Sequence, residues 1–440
     1  MTSYWCEHAQ LPDKVQRGVR LTVADGLITE IATDTRPHDS DIRLHGVVLP
    51  GLANAHSHAF HRMLRGRTHG DGGNFWTWRE QMYAVTERLD PDTYFALARA
   101  VFAEMVMSGY TVVGEFHYLH HGPGGRPYDD PNAMGAALIA AAEEAGIRLT
   151  LLDACYLSGG LDSSGHLPLD EVQVRFSDGS VQAWAQRVAD LRDSDMVRIG
   201  AAAHSVRALT GEQLTQFAEV VGDRPVHAHV SEQMGENLTT QLVYGASPVE
   251  HLTDTGLLGE GFTAVHATHL SEVDLDLMGR SGAGACFCPT TERDLADGIG
   301  PACELAERGV PISLGSDQHA VIDPFEEVRG IEMHERLKSH ERGRFGVAQL
   351  LEMGTSAGYR SLGWDGGRIA VGALADLVAV RIDSRRTGGV APAQIIFAAT
   401  GADVSDVVVG GRHVVSGARH SMGPIDDLVT EAIVAVRSAP

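Results

Sequence analysis

Two pairs of histidines stand two residues apart in the sequence, as HSH at 56–58 and as HAH at 227–229. Residues two apart on an extended chain point the same way, so each pair can present two imidazoles to one point. A further histidine lies in VHATH, and Asp317 ends the segment LGSD. Imidazole nitrogens and a carboxylate are ligands that zinc accepts, with one position left for water. These residue types therefore indicate a metal site in which water becomes a nucleophile, the chemistry of a metal-dependent hydrolase.

The ligands that we predict for one divalent ion are His56, His58, His229 and Asp317. Zn²⁺ suits this ligand set best, although iron, nickel or manganese can occupy the same set. His227 shares the strand face of His229, so their spacing cannot separate them. We favour His229 because it lies nearer the C-terminal end of its strand, and we expect His227 to be a buried packing residue.

Two further residues are candidates for moving protons. Glu232 lies three residues past His229, within reach of a water beside that ligand, and a carboxylate there can shuttle the proton of the water. The alternative for Glu232 is a glutamate at a helix start that interacts with the helix dipole. In VHATH, His266 and His269 are three residues apart and face opposite ways. His266 is the candidate because it falls within the apolar strand.

The elements that carry these residues predict a barrel. From Val47 onward, apolar strands alternate with helical segments, and the count gives eight strands with helical crossovers. One of these helices should begin at Asp90-Pro91 and stop at Gly109. Eight such units over roughly 300 residues are typical of an α/β fold of the (β/α)8 TIM-like type, whose active site lies at the C-terminal strand ends. A doubly wound open sheet fits less well because no Gly-rich phosphate turn is present. The candidates end strands one, five, six and eight.

Both ends of the chain are rich in β-strand patterns. LTVADGLITEI carries an Asp-Gly pair between apolar runs, which is a hairpin signal, and SDVVVGGRHVV lies beyond residue 370. We therefore predict a small, discontinuous β-sandwich domain formed by residues 1–48 and 371–440. The barrel is predicted to occupy residues 49–370.

The composition restricts the partners. The 440 residues include 58 acidic and 35 basic ones, a net charge of −23. Such a surface argues against nucleic acid and anionic membranes, and it requires local arginines for any anionic substrate. The chain starts without a signal-like segment, its apolar runs are too short to span a membrane, and its five cysteines are scattered. We expect a cytoplasmic protein. No motif indicates an oligomeric state, and a homodimer is our expectation.

The motifs resemble the amidohydrolase superfamily, with HSH after the first barrel strand, HVSE after the fifth, VHATH on the sixth and SD after the eighth. The match covers essentially the whole chain. Dinuclear members carry a lysine on strand four, whereas VRIGAAAHSV here has none, so the resemblance implies a mononuclear, deaminase-like site. By this likeness the four predicted ligands bind the ion, and Glu232 and His266 handle protons. Asp317 would also help to deprotonate the water.

Longer blocks resemble the formimidoylglutamate deiminases within that superfamily: AHSHAFHRMLRG, FWTWREQMY, GEFHYLHH and AAHSVRAL. The resemblance implies hydrolysis of N-formimidoyl-L-glutamate, a small anionic substrate of histidine degradation, to N-formyl-L-glutamate and ammonia. Arg79, Tyr118 and Arg207 would hold the two substrate carboxylates, and His204 would line the formimidoyl end. Position 61 is a departure, because His61 stands where some members have Gln, which leaves its substrate contact open.

Other interpretations exist for these residues and for the whole chain. Without the resemblance, Arg79 is interpreted equally well as a surface cation or as a structural ion-pair partner. Tyr118 is then interpreted as a packing residue of the barrel. The enzymatic alternative is a mononuclear deaminase or chlorohydrolase that acts on a purine, pyrimidine or triazine, which would need stacking aromatics rather than two arginines. A non-catalytic barrel that serves as a scaffold is the third interpretation. A scaffold is expected to lose metal ligands, whereas this sequence keeps all four.

Overall fold

A computed structural model describes residues 1–68 and 75–438 of the chain. The strands, in chain order, are β1 Thr2–Gln10, β2 Val15–Ala24, β3 Leu27–Ala32, β4 Ile42–Pro50, β5 Leu52–Ser57, β6 Tyr110–His117, β7 Arg148–Cys155, β8 Gly160–Asp162, β9 Gly165–Leu167, β10 Val197–Ser205, β11 Val226–Val230, β12 Phe262–His266, β13 Gly284–Phe287, β14 Ile312–Leu314, β15 Leu377–Val380, β16 Val404–Val409, β17 Arg412–Ser416 and β18 Arg419–His420.

The α-helices are α1 Phe75–Thr86, α2 Pro91–Ser108, α3 Ala133–Ala145, α4 Val181–Val188, α5 Gly211–Val220, α6 Met234–Tyr244, α7 Pro248–Asp254, α8 Glu272–Ser281, α9 Pro289–Asp294, α10 Ala302–Glu307, α11 Pro324–Ser339, α12 Val347–Gly354, α13 Ser356–Ser361 and α14 Ile425–Ser438. Short 3₁₀ helices span Ala59–Leu64, Pro123–Gly125, Gln173–Phe176, Pro392–Phe397 and Gly401–Asp403.

Eight parallel strands form the barrel, in the order β5-β6-β7-β10-β11-β12-β13-β14. Every residue of β6 and β7 is buried, as expected for parallel strands that are covered on both faces. The barrel closes where Asp317, just past β14, pairs with the end of β5. The Asp317 N–H donates to the His56 carbonyl at 3.0 Å, and the His58 N–H donates to the Asp317 carbonyl at 3.1 Å. The predicted (β/α)8 barrel is confirmed, and its closure brings two histidines of the first strand to the eighth.

Helix α2 shows how local sequence sets an element. The Asp90 side chain accepts from the Thr93 backbone, and the Thr93 hydroxyl in turn accepts from the Asp90 N–H, a capping box ahead of Pro91. At the other end Gly109 takes φ 106°, the left-handed conformation that glycine adopts without strain. The helix therefore begins and ends where its sequence predicts.

The two ends of the chain form one separate eight-stranded sheet, in the order β18-β17-β16-β15-β4-β1-β2-β3. The predicted hairpin is present, with Asp25 and Gly26 at positive φ between the antiparallel strands β2 and β3. Strand β4 runs on to Pro50, directly ahead of barrel strand β5. The C-terminal helix α14 packs on the barrel helix α2, so the last part of the chain leaves the small sheet. Within the described residues, no helix is long and apolar enough to cross a membrane.

Candidate active site

The residues predicted for the site lie at the C-terminal ends of the barrel strands or just after them. By strand these are His56 and His58 with β5, Tyr118 with β6, His204 and Arg207 with β10, His229 and Glu232 with β11, His266 with β12 and Asp317 after β14. Arg79 lies on α1, a helix in the connection between the first and second barrel strands. The barrel geometry explains why residues 261 positions apart in sequence, such as His56 and Asp317, meet.

The four predicted metal ligands converge on one point. His56 Nε2 lies 3.2 Å from His229 Nε2 and 3.4 Å from Asp317 Oδ1. His58 Nε2 lies 3.5 Å from the same Asp317 oxygen. Two ligand atoms of a tetrahedral zinc ion are about 3.3 Å apart when each bond is near 2.0 Å. The spacing of these four side chains therefore fits a single ion.

Backbone carbonyls orient two of these imidazoles. His58 Nδ1 donates to the Phe116 carbonyl at 2.9 Å, and His229 Nδ1 donates to the His204 carbonyl at 2.9 Å. With the proton on Nδ1, each Nε2 presents its lone pair to the cluster. Burial lowers the pKa of His58 to about 3 and holds the pKa of His229 well below its usual range. Neutral imidazoles whose lone pairs face one another in a buried space are the donor set of a cation site.

A chain of buried hydrogen bonds ties the two ligand-bearing segments together behind this cluster. The Ser57 hydroxyl donates to Glu115 Oε2 at 2.6 Å and lies 3.2 Å from His319 Nε2. His319 Nδ1 lies 2.9 Å from the Ser316 hydroxyl, which also accepts from the Asn54 amide at 2.7 Å. We call these five residues the strand clamp. It fixes the HSH segment of the first strand against the SD segment of the eighth.

His266 lies among three carboxylates. Its Nε2 is 3.9 Å from Glu232 Oε1 and 4.0 Å from Asp317 Oδ2. Its Nδ1 is 3.6 Å from Glu292 Oε1, an oxygen that is itself fixed by the Cys288 N–H at 2.7 Å. Burial opposes protonation of His266, but these carboxylates outweigh it and raise its pKa to about 10. Burial also raises the pKa of Glu232. A proton can therefore pass between groups that all face one point.

Arg207 is held by two buried carboxylates on the wall of the pocket. Its Nη2 lies 3.3 Å from Glu232 Oε2, and its Nε lies 3.6 Å from Glu236 Oε2. The second predicted arginine, Arg79, places its guanidinium carbon 5.2 Å from the centre of the Tyr83 ring. Both arginines line the same pocket as His58, His229 and Asp317. The pocket thus joins the cluster to fixed positive charge.

The remaining predicted substrate contacts line the same pocket. His61 Nε2 lies 2.9 Å from the Tyr118 hydroxyl, so these two side chains act as a pair rather than separately. The His204 ring lies edge-on to Tyr156, with 4.5 Å between the ring centres. His227 is buried, with Nε2 3.0 Å from the Ser361 carbonyl, in the packing environment that we expected for it.

Sequence reasoning missed two residues that line the pocket, Tyr83 and Tyr156. It also missed three that contact lining residues: Gln173, Glu236 and Glu292. Tyr156 carried a usable signal, because it directly follows β7 at the strand end where site residues gather. Glu236 and Glu292 lie on helices that follow strands, where a glutamate looks like any surface acid. Gln173 lies far along the chain from the end of any barrel strand, and no pattern marks it.

A second group of potential ligands lies outside the pocket. His117, His120 and Asp153 bring ligand atoms within 4.8 Å of one another. The Asp153 carboxylate, however, accepts from both terminal nitrogens of Arg187, at 2.9 and 2.8 Å, and from the Trp184 indole at 2.9 Å. A guanidinium in this position supplies the positive charge that a metal would bring. This group is therefore a buried ion-pair network.

The comparisons with known proteins agree with this geometry. A model of the amidohydrolase family matches residues 47–414. The chain belongs to the amidohydrolase family. It is accordingly a hydrolase that acts on carbon–nitrogen bonds. This amidohydrolase is 36% identical over 440 residues to the formimidoylglutamate deiminase of Pseudomonas aeruginosa, with 96% of each chain covered.

Solved structures show the same fold. An amidohydrolase from Brucella melitensis superposes with a TM-score of 0.91 at 31% identity, over 100% of both chains. An adenosine deaminase from Xanthomonas campestris with bound zinc superposes with a TM-score of 0.83 at 23% identity, over 99% of this chain and 98% of that one. The second similarity is one of fold alone. Together they confirm the barrel with its small terminal sheet.

Proposed function

We propose that this amidohydrolase hydrolyses N-formimidoyl-L-glutamate to N-formyl-L-glutamate and ammonia. The observation that carries the proposal is a single pocket whose wall includes both arginines, Arg79 and Arg207, and three of the four candidate metal ligands. A dicarboxylate needs fixed cations on a chain of net charge −23, and the planar guanidinium matches a carboxylate. The 36% identity to a formimidoylglutamate deiminase supports the same substrate.

We further propose that His56, His58, His229 and Asp317 hold one divalent ion, Zn²⁺ by the nitrogen-rich donor set. The 3.2 to 3.5 Å separations of their ligand atoms support one ion. The zinc of the similarly folded Xanthomonas campestris deaminase supports the choice of metal. Such an ion, when bound, supplies the Lewis acidity that makes water a nucleophile near neutral pH.

The protein side chains would then bind the substrate and move its protons. Arg79 and Arg207 hold the two carboxylates, with Tyr118 and His61 beside them and His204 lining the formimidoyl end. Water adds to the formimidoyl carbon and gives one proton to Asp317, whose carboxylate the neighbouring histidines keep ionised. His266 is already protonated and faces both Asp317 and Glu232, so it can pass a proton between them. Glu232 protonates the imine nitrogen, and its raised pKa suits a proton donor.

The reaction ends with loss of the terminal nitrogen. The carbon–nitrogen bond to that nitrogen breaks as the new carbonyl forms, and the second proton of the water reaches the departing group through the same side chains. Both water protons thus end on ammonia, and the oxygen stays in the formyl group. Glu292 faces the Nδ1 of His266 and keeps its Nε2 turned toward Glu232 and Asp317 throughout.

The experiment that tests this proposal is ammonia release from N-formimidoyl-L-glutamate beside guanine, cytosine and adenosine. We expect rapid turnover of the first and a rate near background for the three heterocycles. The product should be identified as N-formyl-L-glutamate by NMR. Faster ammonia release from any heterocycle than from N-formimidoyl-L-glutamate would overturn the proposed substrate.

A heterocycle deaminase is the second candidate, because aromatic side chains also line the pocket, among them Trp78, Tyr118 and Phe176. Replacing Arg207 by Met separates the two functions. If the arginine binds a carboxylate, kcat/KM for N-formimidoyl-L-glutamate should fall by about 100-fold or more, since hydrogen bonds between charged groups are lost. A heterocycle substrate should lose far less.

The setting of the reaction is also a proposal. We place it in histidine degradation in the cytoplasm, and the five cysteines, which are all free and buried, suit a reducing compartment. Assembly as a homodimer stays a prediction.

A further inference from the structure

Tyr156 lies on the wall of the pocket and is not among the substrate contacts proposed for Arg79, Arg207, Tyr118, His61 and His204. It directly follows β7, lines the pocket together with Tyr83, and is buried. Two arginines, Arg79 and Arg207, are the charged groups that act on its hydroxyl. The phenol therefore stands at the cationic part of the pocket, where an anionic group of the substrate would bind.

The side-chain amide of Gln173 fixes the positions of both phenols. Its Nε2 donates to the Tyr83 hydroxyl oxygen, the Tyr156 hydroxyl oxygen and the Gly159 carbonyl, each at 2.9 Å. Its Oε1 accepts from the Asp170 N–H at 3.0 Å. This contact fixes the orientation of the amide, so that the nitrogen faces the two phenols. The two hydrogens of this nitrogen are shared among three acceptors, and because the nitrogen cannot accept, neither phenol can donate its own hydrogen to it.

The surrounding loop is built closely around this amide. A Cβ at Gly159 would lie 2.2 Å from the Pro168 carbonyl oxygen and 2.7 Å from Gln173 Oε1. Only glycine permits the backbone to approach Gln173 this closely. Gly159, in the loop after β7, thus allows the close packing that holds the Gln173 amide beside the two hydroxyls.

A count of hydrogens leaves one donor for the pocket. The two phenols have two hydroxyl hydrogens, and one of them serves the contact between Tyr83 and Tyr156. Among the described residues, neither hydroxyl donates to a carbonyl or carboxylate. Burial raises the pKa of both phenols, so they stay protonated. At least one O–H is therefore left to point into a pocket that also holds two guanidinium groups.

We propose that Tyr156, held by Gln173 and paired with Tyr83, is a further substrate-binding residue that donates a hydrogen bond to a carboxylate of the substrate. Hydroxyl and guanidinium donors around one space are complementary to a carboxylate and to few other groups. The inference rests on the proposed function, because it requires a substrate that carries carboxylates. It makes Tyr156 a determinant of specificity for acids over neutral substrates.

The test is the variant Tyr156→Phe, which removes one hydroxyl and keeps the ring. For N-formimidoyl-L-glutamate we expect KM to rise about 10- to 100-fold, the usual effect of losing a hydrogen bond to a charged group, while kcat changes by less than about threefold. Tyr110→Phe is the matched control, since Tyr110 is a buried tyrosine of barrel strand β6 outside the pocket. It should leave KM unchanged.

Two substrate analogues separate binding from a structural effect. N-formimidoyl-4-aminobutyrate lacks the α-carboxylate, and N-formimidoyl-L-norvaline lacks the γ-carboxylate. The variant should show no added rise in KM with the analogue that lacks the carboxylate bound by Tyr156, and the full rise with the other. The inference would be overturned if Tyr156→Phe had the same KM for N-formimidoyl-L-glutamate as the unmodified protein, or if its KM rose equally with both analogues. Absence of turnover of N-formimidoyl-L-glutamate by the unmodified protein would instead overturn the proposed function, and the inference with it.

Discussion

Replacing Glu232 by Gln tests the proton chemistry separately from metal binding. Glu232 Oε1 lies 3.9 Å from His266 Nε2, and its other oxygen contacts Arg207 at 3.3 Å. It is not a member of the groups of described residues whose atoms could hold a metal ion. Glutamine has the same shape and can still accept from Arg207, but it cannot give or take a proton. The variant should therefore keep its metal and lose its turnover.

The size of the loss follows from the role. A positioned acid or base contributes about 10²- to 10⁴-fold to a rate. We therefore expect kcat to fall by that factor, which corresponds to about 3–5 kcal/mol at 1.36 kcal/mol per factor of ten. KM should stay within about threefold, because the groups that bind the carboxylates are unchanged. Steady-state ammonia release gives both constants, and elemental analysis gives the metal content.

Glu236→Gln is the matched control for this variant. Glu236 is also a buried carboxylate beside Arg207, at 3.6 Å, and it accepts from the Ser231 N–H at 3.1 Å. It makes no contact with His266 in the described part of the chain. Its replacement should therefore change KM more than kcat. A Glu232→Gln enzyme with kcat within tenfold of the unmodified protein, or one that has lost its metal, would refute the reasoning.

Three more predictions concern groups outside the ligand set. Glu292→Ala should lower kcat about 10- to 100-fold with little change in KM, because the Nδ1 of His266 loses its partner at 3.6 Å; an unchanged kcat would contradict the positioning role. His319→Ala should weaken zinc binding about 10- to 100-fold in competition with a chelator, since it breaks the strand clamp; unchanged affinity would show that the clamp does not support the ligands. Burial opposes ionisation of Asp403, but its ion pair with Arg386 at 2.7 Å outweighs burial and lowers the pKa to about 2. The ion pair thus stabilises the fold above pH 4 and is lost as the pH falls toward 2. The melting temperature of Asp403→Asn should vary less over that window, and identical slopes would contradict this.

Local patterns were enough to predict the barrel and the proximity of His56, His58, His229 and Asp317. Helix α2 is bounded by a capping residue and a glycine, both of which act within one turn. The HSH pair needs only the alternation of an extended strand to place two imidazoles together. The barrel then gathers the strand ends, which is why the position of Asp317 follows from counting strands.

Contacts between segments that are distant in sequence could not be predicted from such local patterns. Glu292 on α9 meets His266 at the end of β12 across 26 positions, and nothing in its local sequence marks it as different from a surface glutamate. Gln173 reaches Tyr83 across 90 positions through a loop that has no periodic pattern. Side-chain partners of this kind depend on tertiary packing, which a single sequence does not display.

The most direct test of the central claim is a metal titration followed by turnover of N-formimidoyl-L-glutamate. The protein should be stripped with a chelator, titrated with zinc, and assayed for ammonia release at each ratio. We predict that activity rises linearly and saturates at one zinc per chain, as a site formed by His56, His58, His229 and Asp317 requires. Full activity in the stripped protein, or no turnover of N-formimidoyl-L-glutamate at any zinc ratio, would contradict the account.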